Sequence, residues 1–125
     1  MNIANIHGVN GEVLATKYLV KQGYDILALN YRSRYGEIDI IAEKDEYIVF
    51  AEVKTRGENS LGEPREAVTK EKQRKIIGTA SLYISKVGTD KQPRFDVIEV
   101  LLPRNPFRKV KVRIIENAFY SEGYV

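Results

Sequence analysis

The chain has 125 residues, 43% of them hydrophobic and 30% charged, with a net charge of +3. That length, without any linker-like stretch, fits one domain over residues 1–125 with apolar content enough for a single packed core. Zero cysteines and one histidine, His7, exclude a disulfide framework, thiol catalysis, cysteine-ligated metal and any two-histidine mechanism. No apolar run approaches the roughly 20 residues a membrane helix needs. The opening Met-Asn-Ile-Ala-Asn-Ile-His has neither the basic nor the apolar block of a signal peptide, so a cytoplasmic protein without membrane contact is expected. The mild positive charge is by itself a weak nucleic-acid signal.

In chain order, the pattern predicts a helix from about Gly8 to Gln22, stopped by Gly23. On a helical projection Val9, Ala15, Leu19 and Val20 make its apolar arc, and Glu12 falls in the middle of that arc beside Thr16. A carboxylate there seeks a polar partner inside the fold, although a first-turn glutamate is also favoured by the helix dipole. Its direction, away from solvent, favours the first role. Tyr24 to Tyr31 reads as a strand, and Arg32 to Gly36, carrying Arg32 and Arg34, as the turn that follows.

Two apolar runs come next, Gly36 to Ala42 and Tyr47 to Lys54, joined by a charged turn around Lys44-Asp45-Glu46: a β-hairpin too apolar for a wet face and so in the centre of the domain. Asp39 interrupts the first run, and Glu52 and Lys54 the second. Alternation puts Glu37 with Asp39 on one face and Glu52 with Lys54 on one face, so pairing across the turn can bring Asp39 close to Glu52. Two carboxylates about 4 Å apart repel by roughly 4 kcal/mol at an effective dielectric near 20. A cation between them reverses the sign. Lys54 or a divalent metal can supply it, and a partly buried structural ion pair is the other reading of the same charges.

Thr55 to Arg65, rich in Gly, Asn, Ser and Pro, reads as a loop leaving the sheet beside the carboxylates, with Arg56 at its start. A basic cluster follows in Arg65, Lys70, Lys72, Arg74 and Lys75. The second helix takes Thr69 as N-cap and Glu71 in its first turn, and presents Ile76, Ala80, Tyr83, Ile84 and Val87 on one face before Gly88. Gln73 lies on that stripe. Its amide could serve a carboxylate, a water or a phosphate, or could equally satisfy a neighbouring backbone group. Phe95 to Leu102 is a fourth strand, and Lys109 to Glu116 a fifth with Lys109, Lys111 and Arg113 on one face; a lysine-rich outer strand reads as a protected sheet edge, not a DNA groove. The tail, with Phe119, Tyr120 and Tyr124, packs on the core or on a partner.

The resulting order predicts an αβββαββ sandwich, a mixed five-stranded sheet flanked by helices, with parallel strands where the second helix connects them. Helix, three-strand meander, helix and strand, with an acid on the second strand and Glu52-Val53-Lys54 on the third, resembles the restriction-endonuclease-like fold of the PD-(D/E)xK nuclease superfamily. Gly11-Glu12, Gly36-Glu37-Ile38-Asp39-Ile40-Ile41-Ala42, Phe50-Ala51-Glu52-Val53-Lys54-Thr55-Arg56 and Arg94-Phe95-Asp96 are similar to the YraN-like family of small bacterial proteins, over about Gly8 to Val100. Ile38 stands where the superfamily name has proline. Archaeal Holliday-junction resolvases, similar in pattern, also carry a first-helix glutamate, matching Glu12.

The resemblance implies a Mg²⁺- or Mn²⁺-dependent nuclease acting on DNA, with branched or recombination intermediates as one substrate class and a symmetric homodimer as its assembly. Asp39, Glu52 and the Val53 backbone carbonyl would hold the metal, an oxygen-donor set suited to those cations. Lys54 would orient water or meet developing charge, with Glu12 and Gln73 assisting; Glu37, nearer the turn, has a less defined part. Arg32, Arg34, Arg56, Lys70 and Arg74 would contact nucleic acid. A nucleic-acid-binding module of the same fold without cleavage is the alternative, and an interaction protein with a buried ion network a further one.

Overall fold

Parallel strands cannot be joined by a tight turn, and one such crossover divides this chain. The computed structural model describes residues 10–57, 68–105 and 107–120. In order they form helix α1 (Gly11–Lys21), strands β1 (Asp25–Arg32), β2 (Glu37–Lys44) and β3 (Tyr47–Gly57), helix α2 (Lys70–Val87), and strands β4 (Gln92–Leu102) and β5 (Lys111–Phe119). The five strands make one sheet in the order β1-β2-β3-β4-β5. Neighbours are antiparallel except β3 and β4, which run parallel on either side of the α2 crossover. This is the αβββαββ mixed sheet expected from the sequence.

The central strands β2, β3 and β4 are buried on both faces over most of their length, and the edge strands β1 and β5 are largely exposed. On one face, Ile76, Ile77 and Ala80 of α2 pack with Ile38, Ile41, Ile48, Phe50, Phe95 and Val97. On the other, Ala15 and Leu19 of α1 pack with Ile40, Ala42, Val49, Ala51, Ile98 and Val100. The hairpin runs are therefore apolar on both sides, as their composition requires. Lys44 pairs with Tyr47, leaving Asp45 and Glu46 as the turn, with Asp45 in the left-handed region at φ 54°.

Helix α1 starts where the Asn10 side chain accepts a hydrogen bond from the Val13 amide at 3.2 Å. Gly8 and Val9, where the helix was expected to begin, lie outside the described residues. The buried positions are Gly11, Ala15 and Leu19, one stripe at i, i+4 spacing. Val20, expected on the apolar arc, is 56% exposed because it sits one residue beyond that stripe. Gly11 is where α1 meets the sheet: a Cβ there would overlap the Thr55 hydroxyl oxygen. Threonine is stiff at χ1 and cannot swing that oxygen freely away. Gly11→Ala gains up to about 1 kcal/mol in helix propensity but overpacks the joint by typically ~1–3 kcal/mol. Urea unfolding is expected to report a net loss of stability, recovered when Thr55→Ala accompanies it; a gain from Gly11→Ala alone would refute the close approach.

Helix α2 is capped by Thr69, whose hydroxyl accepts from the Lys72 amide at 3.1 Å, and ends at Gly88. Val87, expected on the core stripe, is 50% exposed in the last turn. Strand β3 continues through Thr55 and Arg56 to Gly57, where a loop was expected, because its parallel pairing with β4 runs on to Gly57 opposite Leu102. The rest of that loop, including Arg65, lies outside the described residues. Strand β5 begins two residues later than expected and reaches Phe119, which is buried and stacks on Phe95 at 5.4 Å. The tail thus packs on the core at Phe119, whereas Tyr120 is 64% exposed and Tyr124 lies outside the described residues.

The motif Arg94-Phe95-Asp96 builds a buried ionic joint behind the site. Arg94 donates to Asp96 from Nε at 3.1 Å and from Nη2 at 2.9 Å, and also to the Tyr24 hydroxyl. Its guanidinium lies 5.1 Å from the centroid of the Tyr47 ring. Asp96 accepts a further bond from the Asn117 amide at 3.0 Å. One carboxylate therefore ties β4 to the α1–β1 corner and to the bulge in β5.

Candidate functional site

The β2–β3 ladder is in register with Ile40 opposite Ala51, which carries Asp39 across from Glu52. There the ladder stops and a side chain takes over: Asp39 Oδ2 accepts from the Val53 amide at 2.8 Å. Glu52 is 4% exposed although it carries a charge. Two lysines answer it, both at the same oxygen. Lys72 Nζ lies 2.6 Å from Glu52 Oε1, and Lys54 Nζ lies 3.8 Å from it. The carboxylates border an open cleft of about 410 Å³ that Glu37, Lys72, Lys75 and Ile76 also line.

Burial pushes the Asp39 carboxyl up to about 7, and the neighbouring Glu52 charge adds to the rise, against the Val53 hydrogen bond that opposes it. Glu12 on α1, half-buried, raises it further through its charge, while Lys72 lowers it. Burial works against the charge of Lys72, but its hydrogen bond to Glu52 and the charges of Glu52, Asp39 and Glu37 outweigh that and raise its pKa. The site is thus a desolvated pair of carboxylates in which both lysines meet Glu52, and Asp39 keeps a raised pKa.

A stability prediction follows from Asp39. Its folded value of about 7 lies above the ordinary 3.8, so the folded chain holds this proton more tightly than the unfolded one between those values. Stability of the metal-free protein must then fall as pH rises through that window. Asp39→Asn keeps an acceptor for the Val53 amide and removes the charge. Wild type and variant should have nearly equal stability near pH 4, and the variant should gain a lead on the order of a few kcal/mol by pH 8. Melting curves in chelator across this range test it, and a pH-independent difference would contradict it.

The donor set fits a hard divalent cation. Asp39 and Glu52 offer only oxygen, and their mutual repulsion is relieved by positive charge. Among the described residues, no three carboxylate, histidine or cysteine side chains gather closely enough to hold a metal by themselves. Backbone carbonyl and water would complete the shell, as Mg²⁺ in particular tolerates.

Of the other residues singled out from sequence, Glu37 lines the cleft and lies 3.4 Å from Arg32, which is largely exposed. Arg34 donates to the Tyr35 hydroxyl at 3.1 Å in the β1–β2 turn. Lys70 and Arg74 are exposed at the start of α2. Gln73 donates to the Val68 carbonyl at 2.9 Å, so its amide serves the helix start. Arg56 lies within β3, not on a loop, and is ion-paired to Glu99 at 3.3 Å with its side chain only 17% exposed. Lys72, the lysine closest to Glu52, was seen in the sequence only as one of a basic cluster. A partial signal for it existed: Lys72 precedes Ile76 by four residues and so borders the core-facing stripe of α2, on the flank opposite Gln73.

The family model described as "Uncharacterised protein family UPF0102" matches residues 11–100 of the chain. The chain is similar to a UPF0102 protein of Symbiobacterium thermophilum, 45% identical over 115 residues, covering 91% of this chain and 96% of that protein. It is also similar to one of Lachnoclostridium phytofermentans, 43% identical with 94% and 96% covered, and to one of Chlorobium phaeobacteroides, 50% identical with 76% of each covered.

Proposed function

For this chain, which belongs to the uncharacterised protein family UPF0102, we propose a metal-dependent nuclease of the PD-(D/E)xK type that hydrolyses DNA phosphodiester bonds. The observation that carries the proposal is the desolvated Asp39–Glu52 pair with two lysines on one carboxylate oxygen, beside an open cleft. Such a pair is costly to bury without positive charge beside it, and a carboxylate perturbed by burial and a specific charged neighbour in a cleft is a candidate for a functional site.

Phosphodiester hydrolysis requires a positioned water, in-line approach and neutralisation of charge on the phosphoryl oxygens. Asp39, Glu52 and the Val53 carbonyl would hold Mg²⁺ or Mn²⁺, which when bound supplies positive charge to the phosphate and acidity to the attacking water. Lys54, projecting from the central strand, orients that water or meets negative charge as it develops. Lys72 is more exposed and comes from the first turn of a helix, so it grips a phosphate oxygen of the substrate as a point charge. Glu12 contributes through water and through its field on Asp39. Gln73 holds the start of α2, and with it Lys72, in place. Arg32, Arg34, Lys70 and Arg74 offer phosphate contacts around the cleft. Branched repair or recombination intermediates are the substrate class the family resemblance favours, with two copies of the chain acting as a symmetric dimer in the cytoplasm.

One observation favours a second reading, a nucleic-acid-binding module without cleavage: Lys72 at 2.6 Å already compensates Glu52 without a metal. The deciding experiment is a cleavage panel over branched, nicked and linear DNAs with Mg²⁺ and Mn²⁺ tested separately. Metal-dependent products that vanish with Asp39→Asn are expected. Binding without products under either metal would leave the second reading standing in place of the first.

A further inference from the structure

The outer strand β5 carries its basic residues onto the same face of the sheet as Glu52 and Lys54. In the parallel β3–β4 pair, Lys54 is in register with Glu99 and Arg56 with Leu101. In the antiparallel β4–β5 pair, Glu99 is in register with Arg113 and Leu101 with Lys111. In-register partners share a face, so Lys54, Arg56, Lys111 and Arg113 stand on one surface around Glu99. That surface is continuous with the carboxylate site and runs about 10 Å from β3 to β5 at the usual strand spacing.

Glu99 is fully buried, which for a lone carboxylate would cost several kcal/mol. Both flanking strands answer it. Arg113 donates from Nε to Glu99 Oε1 at 2.8 Å and brings Nη2 to the same oxygen at 2.8 Å, while Arg56 Nε stands 3.3 Å from Oε2. The carboxylate thereby clamps two guanidinium groups from strands on either side of it at a set separation. Neutralising one buried glutamate requires one cation, yet even with Lys54 assigned to Glu52, three cations remain around Glu99. Arg113 keeps 55% of its side chain exposed. Lys111 is exposed and makes no ion pair among the described residues. Edge protection alone accounts for a charge on β5, but not for the alignment of these charges with the site.

We infer that Lys111 and Arg113, with Glu99 as the positioning residue, form a track for the phosphate backbone of the DNA strand that leaves the Asp39–Glu52 site across β4 and β5. The inference rests on the nucleic-acid reading of that site. Each phosphate neutralised on the track releases counterions, so binding should become less salt-dependent as track cations are removed.

The test uses fluorescence anisotropy of the full chain carrying Asp39→Asn, which keeps cleavage out of the binding curve, on a labelled DNA duplex over a salt series. Lys111→Ala should weaken binding about 3- to 10-fold near 0.1 M salt and lower the slope of log K against log salt by about 1. Lys111→Glu should weaken it further, and Arg113→Ala should act as Lys111→Ala does. Lys17→Ala, an exposed lysine on α1 at the opposite face, should change the slope no more than a removed surface charge remote from the track. Arg113→Ala also breaks the ion pair to buried Glu99, so Arg113→Lys, which keeps the charge, should retain the slope; the Lys111 variants break no ion pair among the described residues. Lys111 and Arg113 variants indistinguishable from Lys17→Ala, or no binding of duplex at low salt, would overturn the track. Failure of the nuclease reading looks different: the otherwise unaltered chain would bind with the full salt slope yet cleave with neither metal.

Discussion

Lys54→Ala is expected to cleave DNA at least ~100-fold more slowly than wild type under saturating enzyme while binding it about as well, the scale of losing an electrostatic or acid–base group. A lysine that only contacts phosphate stabilises ground state and transition state alike, so its loss appears in affinity and salt dependence. A lysine that serves the attacking water or the developing charge appears in turnover. Lys54 rises from a central strand beside Glu52 with 28% of its side chain exposed, and Lys72 reaches the same oxygen from a helix with 45% exposed. The more sheltered and more rigidly mounted of the two is assigned the chemistry. Lys72→Ala should accordingly weaken DNA binding and flatten its salt slope, with a smaller loss of rate at saturation. Single-turnover rates and binding curves for both variants decide between them. Wild-type cleavage by Lys54→Ala would remove this lysine from the mechanism, and a large rate loss confined to Lys72→Ala would exchange the two roles.

The largest effect on folding is expected outside the cleft, at Asp96. Asp96→Ala removes the carboxylate that receives Arg94 and the Asn117 amide, and leaves an arginine whose side chain is 8% exposed to the longer, exposed contact with Glu116 at 3.7 Å. Breaking a buried pair by deleting one partner typically costs ~3–5 kcal/mol, because the remaining charge keeps its desolvation penalty. Tyr24→Phe removes only one hydroxyl from the same joint and should cost about 1 kcal/mol. Denaturant unfolding of the two variants tests the ordering, and an Asp96→Ala protein as stable as wild type would mean that Glu116 or solvent takes over Arg94. A hydrophobic replacement of both partners, Arg94→Met with Asp96→Leu, is expected to cost less than Asp96→Ala alone, since it leaves no buried charge behind.

Sequence by itself determined the sheet, the two helices and the Asp39–Glu52–Lys54 set. Period-2 alternation is local, and a two-residue turn between two apolar runs leaves one pairing that buries both, so the opposition of Asp39 and Glu52 was legible from spacing alone. Helix ends were legible for the same reason, since Thr69, Gly23 and Gly88 act on their own neighbours. The ends of the strands were not. Thr55 to Gly57 has loop-like composition but is held in β3 by its parallel pairing with β4, a partner 45 residues away in register, and Phe119 is drawn into β5 by stacking on Phe95. Exposure of Val20, one residue off the buried stripe of α1, and of Val87, in the last turn of α2, was likewise decided by how each helix packs. Only tertiary structure decided what the charges face. Lys72 meets Glu52, Gln73 turns to a backbone carbonyl, and Arg56 meets Glu99, because long polar side chains have several reachable partners and sequence spacing constrains only those on the same helix or strand. The alignment of Lys111 and Arg113 with the site needed the most: three strands in fixed register, with each pairing established by the core on the opposite face.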